Sequence, residues 1–159
     1  MQVLFVSAGI VLLDQITKYL IKANFSLHES VGMIGSLLRL TYVENTGIVF
    51  GISVGGALPL FTFLSMIAVG FVIYFLYRER TGPLGSRLGL ALVLGGAIGN
   101  LIDRVLRGSV VDFLDFGFGS HRFYVFNLAD SAVTVGVAIY LIMTMITESQ
   151  ARKMETEGA

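Results

Sequence analysis

Residues 57 to 77 read ALPLFTFLSMIAVGFVIYFLY, 21 positions without a charge. A helix needs about 20 such residues to cross the hydrocarbon core of a bilayer. Three more stretches share this character. Gln2 to Lys22 is apolar as far as Leu13 and then carries Asp14 and Lys18; Leu84 to Leu106 contains LGLALVLGGAIGNLI and holds Asp103 and Arg104 near its end; Ser131 to Thr147 is uncharged and reaches spanning length with the preceding FNLAD. The expected spans are therefore about 2–22, 57–77, 84–106 and 127–147. Composition agrees, with 55% hydrophobic against 14% charged residues and a mean hydropathy of +0.80, far from the mix of a soluble domain. The chain reads as an α-helical integral membrane protein, and its 159 residues as a single membrane-embedded domain.

The first span competes with a secretory signal peptide. It opens without a basic leader and places Asp14 inside the apolar run, so it reads as a retained helix. Formal net charge is zero, and no basic run points to a nucleic-acid partner. The absence of cysteine removes disulfides, thiolate metal sites and a cysteine nucleophile, and leaves the redox compartment open. His28 and His121 lack the spacing of a zinc protease, and no Walker or dinucleotide-binding glycine pattern is present, so neither a metal nor a cofactor is expected.

Between spans one and two, LLRLTYVENTGIVFGISVGG sets β-branched and aromatic residues on either side of Asn45-Thr46-Gly47, which favours strand, turn, strand. The shorter RVLRGSVVDFLDFGFGSHRFYVF joins spans three and four. With four spans both connections fall on one side, where residues of about 23–56 and 107–126 are expected to form a small, partly β cap. Arg78, Arg80 and Arg87 in the loop between spans two and three, with Arg152 and Lys153 in the polar tail, place both termini in the cytosol and the cap outside. Arg39, Arg104, Arg107 and Arg122 lie on the opposite side, where some are expected to serve a site.

Ionisable residues in a span cost roughly 2.5–3.5 kcal/mol each at the centre and usually face the bundle interior in pairs. Asp14 and Lys18 stand four apart on one helical face. Either they form a local ion pair with Lys18 snorkelling to the surface, or they support a site. Asn100, Asp103 and Arg104 also share a face, consistent with a helix end closed by an ion pair, while a buried Asn100 amide needs partners. Gly95 with Gly99, and Gly85 with Gly89, are GxxxG pairs that indicate close helix packing. Asn127 followed by Asp130 resembles a capping box, with the acid favoured by the helix dipole. Asp112 and Asp115 in VVDFLDF are, taken singly, plain loop carboxylates. Taken together, Asp103, Asp112, Asp115 and Asp130 crowd one membrane face within 28 positions. Two carboxylates in contact share a proton, so that one binds water as base while the other donates to a carbonyl oxygen. Peptide-bond hydrolysis requires that division of labour, although the residues alone do not say which two acids form the pair.

The segments DQITK, NTGIVFG, GGAIGNLIDR, GSVVDFLDF and FNLADSAVTVG occur in an order and spacing that resemble the lipoprotein signal peptidases, or signal peptidase II, over nearly the whole chain. Val49 departs from the resemblance, since a small residue is expected there. The resemblance implies an aspartic endopeptidase of the bacterial inner membrane. Its substrate would be a diacylglyceryl-modified prolipoprotein, cut just before the lipidated cysteine. It implies Asp112 and Asp130 as the catalytic pair, and Asn45, Gly47, Asn100, Arg104 and Asn127 as substrate-contacting or orienting residues. Asp14, Lys18 and Asp103 are implied as structural support. It also implies a monomer in contact with membrane lipid, no metal, and inhibition by the cyclic peptide globomycin. Asp130 at a helix start is the expected anionic member, with the proton on Asp112.

A small proton-coupled carrier or channel subunit is the rival, using Asp14, Lys18 and Asp103 as a relay. The acids cluster at one face instead of lining a path, and no internal repeat is evident. A scaffold protein would explain the glycine pairs and leave the aspartates idle. The presenilin-like GxGD pattern is absent, and the single NTG resembles the DTG loop of soluble aspartic proteases without its acid.

Overall fold

The computed structural model describes residues 2–46, 48–49, 52–53, 58–119 and 121–157. Among the described residues are four helices long and apolar enough to cross a membrane: α1 (Leu4–Asn24), α2 (Leu58–Arg78), α3 (Leu84–Arg107) and α4 (Leu128–Glu157). They match the expected spans to within a few residues at most ends. The exception is α4, which continues to Glu157 instead of stopping near Thr147, because the polar tail TESQARKMETE is made largely of strong helix formers.

Helix α3 occupies the middle of the bundle, with α1, α2 and α4 packed against it. Ser7 on α1 donates to the carbonyl of Ala91 at 2.8 Å, Gly95 faces Ile10, and Gly99 faces Asp14, so α1 and α3 run parallel. On another side Gly85 faces Met143, Gly89 faces Gly136 and Tyr140, and Gly96 faces Ala129, so α4 runs antiparallel. A Cβ at Gly95 would stand 2.9 Å from the Ser7 carbonyl oxygen, and one at Gly89 2.8 Å from that of Gly136. The GxxxG pairs therefore serve the close packing expected of them. No residue of α2 is buried, and its exposed Phe63, Ile67, Phe71 and Phe75 suit contact with lipid chains.

At one end of the bundle sits a four-stranded antiparallel sheet of order β1-β2-β5-β6: β1 (Ser30–Ile34), β2 (Leu38–Asn45), β5 (Val110–Phe118) and β6 (His121–Arg122). Strands β3 (Ile48–Val49) and β4 (Ile52–Ser53) form a separate two-stranded sheet among the described residues. The strands expected on either side of Asn45-Thr46-Gly47 are present, β2 ending at Asn45 and β3 starting at Ile48. Strand β2 pairs with β1 before it and with β5 far downstream, Val43 opposite Asp112 and Asn45 opposite Val110. The alternation of β-branched and aromatic residues in VVDFLDFGF gives β2 a longer partner than the two-residue β3. Gly108, with φ of 74°, closes α3 in the left-handed conformation and turns the chain into β5. Ile21 on α1 packs with Tyr42, Val111 and Phe113, and this core seats the sheet on the bundle.

Candidate active site

Asp112 stands on β5 and Asp130 in the first turn of α4, and two asparagines connect them. Asn127, fully buried just before α4, donates from Nδ2 to Asp112 Oδ1 at 2.7 Å and to Asn100 Oδ1 at 3.1 Å. Asn100 on α3 donates from Nδ2 to Asp130 Oδ1 at 2.7 Å. The capping box expected at this helix start is also formed. Asp130 donates its backbone N–H to Asn127 Oδ1 at 2.9 Å, and Asn127 returns its own N–H to Asp130 Oδ2 at 3.2 Å. Capping and site assembly are thus served by the same atoms. From β2, Asn45 Nδ2 donates to Asp112 Oδ2 at 3.2 Å.

Asp112 is neither exposed nor on a loop. Burial, and then the negative charge of Asp130, push its carboxyl up to about 7, against the opposing pull of the Asn45 and Asn127 amides. No cation pairs with it among the described residues. Arg104 on α3 acts on Asp130 and Asp112 through space. It forms no ion pair among the described residues; its Nη1 donates to the carbonyl of Asn100 at 3.3 Å. Asp103 pairs with Lys18 and with Arg107, the latter an ion pair at the end of α3 of the kind the sequence suggests.

Next to the two aspartates lies a buried ionic cluster. Lys18 Nζ is 2.8 Å from Asp14 Oδ2, 2.8 Å from Asp103 Oδ2 and 2.9 Å from Asn100 Oδ1, and all three ionic side chains are fully buried. Lys18 therefore does not snorkel: Asp103 on the facing helix offers a second carboxylate that the sequence alone does not locate. Asp14 Oδ1 accepts the backbone N–H of Ala129 at 3.0 Å, and Asp103 Oδ2 accepts that of Val111 at 3.4 Å. The cluster thereby ties α1 and α3 to the start of α4 and to β5. Gln15, quoted within DQITK but given no role, donates to both Asp14 and Asp103. Its signal was its position between α1 and α3, invisible before the helices are packed.

A second polar knot joins the cap to the bundle. Glu44 accepts from Tyr42 at 2.6 Å, Lys22 at 2.9 Å and Ser109 at 3.2 Å, and the Tyr42 and Lys22 bonds hold its carboxyl below the usual range. Asp115, the fourth acid of the crowded face, is turned to a different purpose. It accepts from Thr41 at 2.7 Å and from Arg122 at 2.9 Å. Gly47, expected among the orienting residues, lies outside the described residues. No group of three or more His, Cys, Asp or Glu side chains among the described residues can hold a metal ion.

The model of the family described as signal peptidase (SPase) II matches residues 6–146. The lipoprotein signal peptidase of Syntrophus aciditrophicus strain SB is 40% identical over 152 residues, covering 92% of this chain and 94% of that protein. That of Shouchella clausii strain KSM-K16 is 44% identical over 137 residues, covering 86% of this chain and 88% of the other. A bacterial membrane enzyme solved by the in meso method at 2.3 Å resolution superposes with a TM-score of 0.84 at 32% identity, over 94% of this chain and 90% of that one. A second such enzyme, at 1.9 Å, gives 0.81 at 33% identity over 89% and 90%. Four spans, a sheet at one end of them and the agreement of whole-length relatives lead to one conclusion: this chain is a membrane protein that belongs to the signal peptidase II family, the aspartic peptidases of family A8.

Proposed function

We propose that this chain removes the signal peptide from lipid-modified prolipoproteins, cutting before the lipidated cysteine, with Asp112 and Asp130 as the catalytic pair. The observation that carries the reading is the hydrogen-bonded path from Asp112 through Asn127 and Asn100 to Asp130, which holds two carboxylates from different elements in one unit. Ionised Asp130, at the positive end of α4, takes a proton from water as it attacks the scissile carbonyl. Protonated Asp112 donates to the carbonyl oxygen as the tetrahedral intermediate forms. Collapse breaks the C–N bond as the proton gained by Asp130 passes to the leaving amine and a hydroxyl proton of the intermediate returns to Asp112. Arg104 and Asn45 border the pair and orient the substrate, with Gly47 following Asn45 and Thr46 in the chain. Asp14, Lys18 and Asp103 hold the helices that carry the pair.

The chain works as a single domain and a monomer in the bacterial inner membrane. Both termini lie in the cytosol and the sheet outside, supported by the arginines of the α2–α3 connection and the basic α4 tail. A reporter fused beyond α4 should read as cytosolic; an external reading would reverse this orientation. Activity is tested with purified protein, a lipidated prolipoprotein and its unlipidated form, followed by mass. Efficient cleavage of the lipidated form alone is expected, because the acyl chains hold the peptide in register with the pair. Equal cleavage of both forms would remove lipid recognition from the proposal.

A further inference from the structure

Lysine has hydrogen-bond donors and no acceptor. The buried Lys18 ammonium, 2.9 Å from the Asn100 side chain, must therefore meet the amide oxygen, which leaves the amide NH2 on the far side, 2.7 Å from Asp130 Oδ1. Asn127 reinforces this orientation. Its oxygen is taken by the Asp130 backbone N–H, so its NH2 also points at Asn100 Oδ1. A reversed Asn100 amide would face two sets of donors with a third. The Asp130 oxygen opposite Asn100 can only accept.

We infer that Lys18 is a positioning residue for the reaction: by fixing the direction of the Asn100 amide, it keeps Asp130 as the ionised, water-binding carboxylate and leaves the shared proton to Asp112. This rests on the assignment of Asp112 and Asp130 as the catalytic pair. The groups that act on Asp130 are Arg104 of α3 and Asp112 of β5 through space, and Lys18 of α1 through Asn100. Asp14 and Asp103 flank Lys18 and balance its charge, so its influence reaches Asp130 as hydrogen-bond direction more than as bare charge.

Lys18→Met alone would strand two buried carboxylates, so the test uses Lys18→Met with Asp14→Asn, which removes one cation and one anion and leaves an oxygen for the Ala129 N–H. The kcat and KM of the purified protein on a lipidated prolipoprotein are measured against pH. The acid limb of the kcat profile, which reports loss of the ionised base, should move up by about one pH unit, a tenfold loss of kcat below that limb. KM should stay within about twofold. Ser7→Ala, which removes a bond in the same α1–α3 interface, should lower the melting temperature without moving the limb. Asn100→Asp keeps an acceptor for Lys18 but puts an oxygen against Asp130, and should move the limb the same way; it decides the matter if the double variant does not fold. A folded variant with an unmoved limb overturns the inference. Asp130→Asn separates this from failure of the pair itself: an active Asp130→Asn protein refutes the pair, whereas an inactive one with unmoved limbs in the other variants refutes only the role of Lys18.

Discussion

Asp112 and Asp115 stand three residues apart on the same strand, both buried, and their surroundings differ in one respect. Asp115 has a cation: Arg122 approaches it at 2.9 Å, and the Thr41 hydroxyl completes the set at 2.7 Å. Asp112 has neutral amides, the field of another carboxylate and, among the described residues, no paired cation, with Arg104 and Lys18 acting on it only through space. A buried carboxylate with a matched cation is a fastener. One without a cation is held close to the point of titration, where a proton can be given and taken back. Burial therefore does not distinguish the two; charge compensation does. The Lys18 cluster belongs with Asp115 by this measure, since both of its aspartates touch cations.

The largest effect that can break this comparison is loss of turnover. Asp112→Asn and Asp130→Asn should each lower kcat by about 1,000-fold or more, and the double variant should be little worse than either, as for residues acting as a unit. Single-turnover cleavage of a lipidated substrate measures it. Near wild-type processing by either folded variant would make Asp112 as structural as Asp115.

The next effect is on pH dependence. With a carboxyl pushed up to about 7 in the folded protein against 3.8 for an ordinary aspartate, the folded state binds the proton of Asp112 more tightly than the unfolded state does. Its favourable contribution is complete below about pH 4 and is lost as pH rises to about 7, by on the order of 4 kcal/mol. Asp112→Asn should abolish this slope. It also leaves the Asn45 or the Asn127 amide facing an NH2, at about 1–3 kcal/mol, so the variant should gain stability only toward pH 7 and above. The kcat/KM of the wild type should fall as pH rises beyond about 7, as Asp112 loses its proton. Thermal melts of both proteins from pH 4 to 8 check the sign; parallel curves would remove the uncompensated state of Asp112.

What could be read from the chain follows from how local each cause is. A bilayer imposes length and hydropathy on each span separately, so the helices were legible one at a time. The Asn127 and Asp130 capping box was legible because its partners lie three residues apart. The pairing of β2 with β5 was not, because Asn45 and Val110 meet only after two spans have packed, and local turn residues name no partner for β2. Lys18 shows the same limit: its neighbour Asp14 was visible at four residues, while Asp103 and Asn100 reach it from another helix. Asn100 announced that a buried amide needs partners, but could not name them. The assignment of Asp112 over Asp115 came from family resemblance; among the described residues Asp115 has a paired cation and Asp112 has none.

The smallest expected effect sharpens the contrast from the other side. Asp115→Asn keeps the shape of the side chain and one oxygen, and removes the charge that Arg122 answers. Arg122 still has the carbonyls of Ser36 and Asp115 to donate to, and its partial exposure lets water take up the lost interaction. The cost should be about 1.5–3 kcal/mol, the range for a hydrogen bond to a charged group. It should be felt in the sheet rather than at Asp112, because the affected bonds tie β5 to Thr41 of β2 and Arg122 of β6. Turnover should stay above half of wild type when the variant is assayed well below its melting temperature in detergent. A loss of kcat comparable to that of Asp112→Asn, with the fold intact, would mean that a matched cation does not mark a carboxylate as structural in this protein.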